Sequence, residues 1–194
     1  MEYPFPLLIS FYCKRFLQSL LHLKGEIPIK IRIIGACGTG KSYIARECSQ
    51  RLGIPHYETD NFVWERGQEQ RRFPIETRDR LLKEAACSEA WIIEGVHHKW
   101  GQESFEHADL IFIISPNKLV RDFRVFRRFI RTRLGLEHAH YKQSFKNLLV
   151  MTFVWNKGFD RDTMKEILEL TKPYEAKRMI VKKNKEILAW IESM

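Results

Sequence analysis

The sequence predicts an α/β fold in which one parallel sheet is wrapped by helices. Three observations predict it. From Ile29 onward, short apolar runs alternate with stretches of helical period, the pattern of strand–helix–strand units. The apolar run IKIRII at 29–34 is followed at once by the octet GACGTGKS, residues 35–42, and then by apolar positions at helical spacing. Two acids, Asp60 and Glu94, fall at the ends of later strand candidates, where ligands of open parallel sheets gather.

The expected strands cover 29–34, 54–58, 91–94, 109–114 and 178–182. Between the first two, Ile44, Ala45, Cys48 and Leu52 share one helical face, and Gly53 is placed to end that helix as a left-handed cap. Residues 74–90 carry Leu81, Leu82, Ala85 and Ala86 at helical offsets. Further helices are expected over 117–134, 142–155, 162–171 and 184–192, with Asn184 as N-cap of the last. Core packing is expected to absorb most of Trp64, Trp91, Trp100 and Trp155. No internal repeat, low-complexity segment or long linker interrupts the pattern.

A chain of 194 residues with 44% hydrophobic side chains buries a sizeable core in one domain. Its formal charge of +9 favours anionic partners: nucleotides, phosphorylated metabolites, nucleic acid or an acidic membrane surface. Cys13, Cys37, Cys48 and Cys87 form no C-x-x-C pair, which speaks against a disulfide framework or structural zinc and for a reducing cytoplasm. The histidine pairs His97/His98 and His138/His140 lack acidic company at ligand spacing, so surface or capping positions are expected for them.

Residues 7–23, LLISFYCKRFLQSLLHL, hold Lys14 and Arg15 at their middle, a poor composition for a spanning helix. They also lack the basic start and small-residue cleavage site of a secretory signal. Leu7, Phe11, Leu17, Leu20 and Leu21 fit an amphipathic helix docked on the body, with a membrane surface as the alternative. The expected organisation is therefore an N-terminal extension, 1–27, before a domain at 28–194.

The octet satisfies G-x-x-x-x-G-K-[ST] with Gly35, Gly40, Lys41 and Ser42, in the required context of strand before and helix after. Such a loop turns its backbone N–H groups inward as a nest for phosphate oxygens, at the positive end of the following helix. Gly35, Ala36, Cys37, Gly38, Thr39, Gly40, Lys41, Ser42 and Tyr43 are thus the candidate nucleotide-binding segment, with Cys37 at a free position. Lys41 suits the terminal phosphates, and Ser42 Oγ suits Mg²⁺. The cofactors expected are ATP, or another nucleoside triphosphate, and Mg²⁺.

Asp60, in HYETDNFVW, could hold an acceptor, act as base or ligate Mg²⁺ through water. A turn or cap with Asn61 is the structural alternative. Glu94 ends the run WII before Gly95, where a carboxylate is costly unless paired, and a metal supplies the partner. Residues 117–133, NKLVRDFRVFRRFIRTR, place Arg121, Arg124, Arg128 and Arg131 on one helical face and Leu119, Phe123, Phe126 and Ile130 on another. The apolar face is expected to pack and the basic face to meet phosphate. A nucleic-acid face has the same look, although no helix-turn-helix or zinc finger accompanies it.

The segments GACGTGKSYIA, LGIPHYETDNFVW, WIIEGVHHKW, FEHADLIFIISP, RRFIRTRLGLE, VWNKGFDRD and KPYEAKRMIVKKNKEI occur in this order. Together they resemble the bacterial P-loop proteins called topology modulation proteins, relatives of adenylate kinase and other small-molecule kinases. The resemblance runs from about Ile29 to the C-terminus. It implies a P-loop NTPase fold of the nucleoside-monophosphate-kinase type: a five-stranded parallel sheet with flanking helices, an acceptor lobe at about 61–90 and a helical lid at about 117–145.

In that comparison Arg124 and Arg128 match the lid arginines, and the segment around Lys183 and Asn184 matches the loop near the adenine. Adenylate kinases carry D-G-F-P-R where this chain reads EGVHHKW. Glu94 keeps the acid, while the arginine that grips a nucleoside monophosphate has no counterpart, a place left to Arg71, Arg72 or Arg78. The activity implied is an ATP- and Mg²⁺-dependent kinase with an unidentified small acceptor, with Lys41, Asp60, Arg124 and Arg128 as catalytic candidates and Ser42, Glu94 and Asp60 around the metal. The alternative is a nucleotide-dependent DNA-binding regulatory protein, the family name itself pointing to DNA topology.

Overall fold

The computed structural model describes residues 28–65, 71–136 and 144–193. The expected amphipathic extension 1–27 and the pair His138/His140 lie outside the described residues. The chain runs through β1 (Lys30–Gly35), α1 (Lys41–Leu52), β2 (His56–Glu58), α2 (Thr59–Val63), β3 (Trp64–Glu65), β4 (Arg71–Arg72), α3 (Ile75–Cys87), β5 (Trp91–Gly95), α4 (Glu103–Glu106), β6 (Leu110–Ile114) and α5 (Lys118–Arg133). It continues through α6 (Phe145–Leu149), α7 (Met164–Leu170), β7 (Arg178–Val181) and α8 (Asn184–Glu192).

Five strands form one parallel sheet in the order β2-β5-β1-β6-β7. The five expected strands are these five, their ends shifted by a residue or two: β1 and β5 run on into Gly35 and Gly95, and the others are shorter than expected. With β1 central and its glycine loop leading into α1, this is the five-stranded parallel sheet with flanking helices anticipated from the sequence. Because side chains alternate along a strand, β1 serves two cores. Ile31 and Ile33 pack with Ile44, Ala45 and Cys48 of α1 and Trp190 of α8. Ile34 joins the opposite layer with Phe62, Leu82, Phe105 and Ile167. Burial in the first layer pushes the Cys48 thiol up to about 12, so it behaves as a small apolar group.

Gly53 caps α1 as expected, with φ of 69° and its N–H donating to Ser49 O. Asn184 does not cap α8. Lys183 takes the capping position, its N–H donating to Glu186 Oε1 at 2.8 Å, which frees the Asn184 amide for a different contact described below. A short antiparallel pair, β3 with β4, was not expected. It holds Arg72 with its guanidinium 5.3 Å from the Trp64 ring centre. Of the tryptophans expected in the core, Trp91 is buried, but Trp64 and Trp155 are exposed.

The expected break between helices at 155–162 is also absent. From α6 to α7 the backbone stays helical through two π-helical stretches, Val150–Asn156 and Phe159–Thr163. The widened turns bring Asn156 and Asp160 against α5. There the Asn156 amide donates to Asp122 Oδ1 at 2.9 Å and Arg121 makes a two-pronged bond to Asp160 at 2.7 and 2.9 Å.

That contact reverses the orientation expected for α5. Leu119 and Phe123 are 80% and 64% exposed, and Phe126 and Ile130 are exposed as well, whereas Val125, Phe129 and Arg121 are buried. On the packed side Arg121 pairs with Asp160, Val125 seats against the glycine loop and Phe129 is buried.

Candidate functional site

The glycine loop runs from the carboxyl end of β1 into α1. Gly40 adopts φ of 88° as the residue before the helix, a left-handed conformation that L side chains avoid. Gly38 has φ of 78°, and a Cβ there would lie 2.6 Å from Val125 Cγ2 and 2.7 Å from Arg121 O. The loop is therefore pressed against α5. Inside it, the Thr39 hydroxyl donates to Ala36 O at 3.0 Å, and the buried Lys41 ammonium donates to the same carbonyl at 3.0 Å.

Two contacts hold the loop from outside. Arg124 donates through Nη1 to Thr39 O at 3.2 Å. Asn184 donates its amide N–H to Gly40 O at 3.1 Å, while its Oδ1 is buried without a hydrogen-bond partner. Both positions were expected near nucleotide, and both lie on the loop. Arg128 sits elsewhere, its guanidinium 4.0 Å from Met151 Sδ in the seam between α5 and the following helices.

Ser42 Oγ donates to Glu94 Oε1 at 2.5 Å, so the first turn of α1 is tied to the end of β5. Glu94 is buried, and the hydroxyl answers the desolvation that any such carboxylate faces. Asp60 lies one strand end further along. Its Oδ1 is 3.1 Å from His97 Nε2, and Glu58, two residues earlier, stands level with Glu94 in the β2–β5 register. His56, Glu58 and Glu94 place three ligand-type atoms within 4.8 Å of one another. Burial holds the His56 imidazolium below its ordinary range, against the opposing pull of Glu94 and Glu58.

The loop after β5 carries the remaining side of the cleft. The His97 and Trp100 rings lie 5.0 Å apart, and the Arg78 guanidinium rests 4.4 Å from the Trp100 ring centre. This loop is anchored from below by Arg32, 1% exposed, which donates to Ile33 O, Ile93 O, Ser104 Oγ and His97 O. Burial pulls its guanidinium down to about 10, with Glu94 opposing the shift. Arg32, His56 and Glu58 went unsingled in the sequence, while His97 was expected only at a surface or capping position and Trp100 only in the core. An arginine inside the apolar run IKIRII was the one signal available.

The donor set suits a polyphosphate and a divalent cation: the Lys41 ammonium, the Arg124 guanidinium and a serine hydroxyl on a buried carboxylate, at the start of α1. The basic stripe of α5 does not stand as a single solvated face, because Arg121 is buried on Asp160 and Arg124 is engaged by the loop. Among the described residues no helix is long and apolar enough to cross a membrane.

No family model matches the chain. It is 34% identical over 85 residues to YqaC, an uncharacterized protein of Bacillus subtilis (strain 168), the match covering 43% of this chain. The chain spans about half the length of that curated relative, 47%. Among solved structures it is similar to a shikimate kinase from Acinetobacter baumannii in complex with shikimate, with a TM-score of 0.49 and 15% identity over 87% of this chain and 95% of that one. A gluconokinase from Sinorhizobium meliloti 1021 gives a TM-score of 0.47 and 15% identity over 84% and 89%. A shikimate kinase from Aquifex aeolicus gives 0.46 and 18% over 84% and 96%.

Proposed function

We propose that this protein is an ATP- and Mg²⁺-dependent phosphotransferase that phosphorylates a small acceptor. The observation that carries the reading is the Ser42–Glu94 bond at 2.5 Å beside the buried Lys41 in the glycine loop. A loop that served only as a turn requires neither an ammonium folded into it nor a hydroxyl fixed on a buried acid. The motif resemblance to the topology modulation proteins, as relatives of small-molecule kinases, supports it further.

Bound ATP and its cation supply a transferable phosphoryl group whose charge spreads over the equatorial oxygens as transfer proceeds. Lys41 leaves Ala36 O to meet that charge, and Arg124 holds the loop while offering the remaining guanidinium N–H groups. Ser42 Oγ and Glu94 would hold the cation, and the freed Asn184 Oδ1 suits an amino group of the base. On the acceptor side Asp60 receives the hydroxyl proton, with His97 Nε2 orienting the carboxylate. Trp100 with Arg78, whose guanidinium is paired with Asp79 at 2.7 Å, forms a flat wall suited to a planar acceptor.

Release of ADP across a panel of nucleosides, nucleotides, sugar acids and hydroxy acids tests the reading. One acceptor should exceed hydrolysis by water, with Lys41→Ala and Asp60→Asn each lowering turnover by about 100-fold or more. If no acceptor exceeds hydrolysis and Lys41→Ala leaves nucleotide binding unchanged, the reading is wrong.

A further inference from the structure

We propose that His56, Glu58 and Glu94 form a binding site for a first-row transition-metal dication such as Mn²⁺, Fe²⁺ or Zn²⁺, recognised by one imidazole nitrogen and two carboxylates. The site follows from strand register. His56 and Glu58 are two residues apart on β2 and so face the same side, and Glu58 stands level with Glu94 on the neighbouring strand. Their ligand atoms lie within 4.8 Å of one another, a spacing that a modest inward rotation closes onto one cation at bonds of about 2.0–2.2 Å.

A second observation points the same way. His56 Nε2 is buried and has no hydrogen-bond partner. Buried polar atoms are seldom left so, and an unmade bond there has a cost that a metal removes. Glu94 spends Oε1 on the Ser42 hydroxyl and, as a carboxylate, offers a second oxygen.

The nitrogen decides the metal class. Mg²⁺ takes oxygen and water, whereas imidazole favours the later first-row ions. The site shares Glu94 with the cleft proposed for phosphoryl transfer, but it is complete in the nucleotide-free protein. Loss of one reading therefore leaves the other standing.

The test uses the full chain, stripped with a chelator and free of nucleotide, titrated with Mn²⁺ under excess Mg²⁺ and followed by electron paramagnetic resonance. Saturable binding of one Mn²⁺ is expected, with pulsed spectra showing coupling to an imidazole nitrogen. His56→Gln should abolish that coupling and weaken binding roughly tenfold or more. If His56→Gln fails to fold, the nitrogen coupling in the unaltered chain decides alone. Absence of saturable binding, binding without nitrogen coupling, or coupling that persists in a folded His56→Gln would each overturn the proposal.

Discussion

Ser42 Oγ and Glu94 Oε1 meet at 2.5 Å, joining the first turn of α1 to the carboxyl end of β5. The bond matters before any ligand arrives, because Glu94 is buried and a carboxylate stripped of its donor is left to face burial alone. Ser42→Ala should therefore lower unfolding stability by about 1–3 kcal/mol, while Glu94→Gln, which keeps a hydrogen-bonding group, should lose less. Urea denaturation of the two variants checks this. Equal losses, or a larger one for Glu94→Gln, would show that the serine does not satisfy the acid.

Gly38→Ala probes how firmly the loop is pressed on α5. The new Cβ would meet Val125 Cγ2 at 2.6 Å and Arg121 O at 2.7 Å, at φ of 78°. Neither a helix carbonyl nor a buried valine is free to give way, so a loss of about 2–4 kcal/mol is expected, from strain at the left-handed conformation plus displacement of the helix. Thermal melting measures it, and Gly53→Ala, with φ of 69° but nothing within 4 Å of its Cβ, separates the two terms by carrying the conformational one alone.

The loop, α1 and the five strands could be read from the sequence because each is encoded locally: four isoleucines in the six residues before the loop, three glycines within it, an apolar period of helical spacing after it. What could not be read depends on partners distant in the chain. The packed side of α5 carries Arg121, whose partner Asp160 lies 39 residues away. His97 meets Asp60, 37 residues earlier, and His56 gains its meaning from Glu94 on β5, which is not the next strand in the chain. The strand order β2-β5-β1-β6-β7 stayed open in the sequence, since periodicity does not say which strand lies beside which.

Arg32→Met keeps the bulk of a long side chain and removes its charge. The Ile33, Ile93 and His97 carbonyls that Arg32 serves would be left without their donor in a dry interior. A loss of about 2–4 kcal/mol is expected. Because the His97 carbonyl is one of the three, amide exchange should rise around His97–Trp100 more than in β6. Uniform protection across both segments would mean that Arg32 serves the core and does not position the cleft.

Asp160→Asn tests the ion pair on the packed side of α5. Arg121 is 3% exposed and bonds Asp160 through both guanidinium nitrogens, so removing the carboxylate leaves a buried cation with only Asp122 nearby at 3.5 Å. At neutral pH the variant should be less stable by about 2–4 kcal/mol. The pH dependence has a definite sign. The hydrogen bond from Arg121, with smaller help from Lys118, holds the Asp160 carboxyl below its ordinary value of 3.8. Its contribution is therefore complete above about pH 5 and is lost as the pH falls below 3.8 and through the lowered folded-state value. The stability gap between the two proteins should be flat from pH 5 to 8 and should close under acid. A gap that persisted at pH 2, measured by urea denaturation, would mean that shape and not charge holds α5 in place.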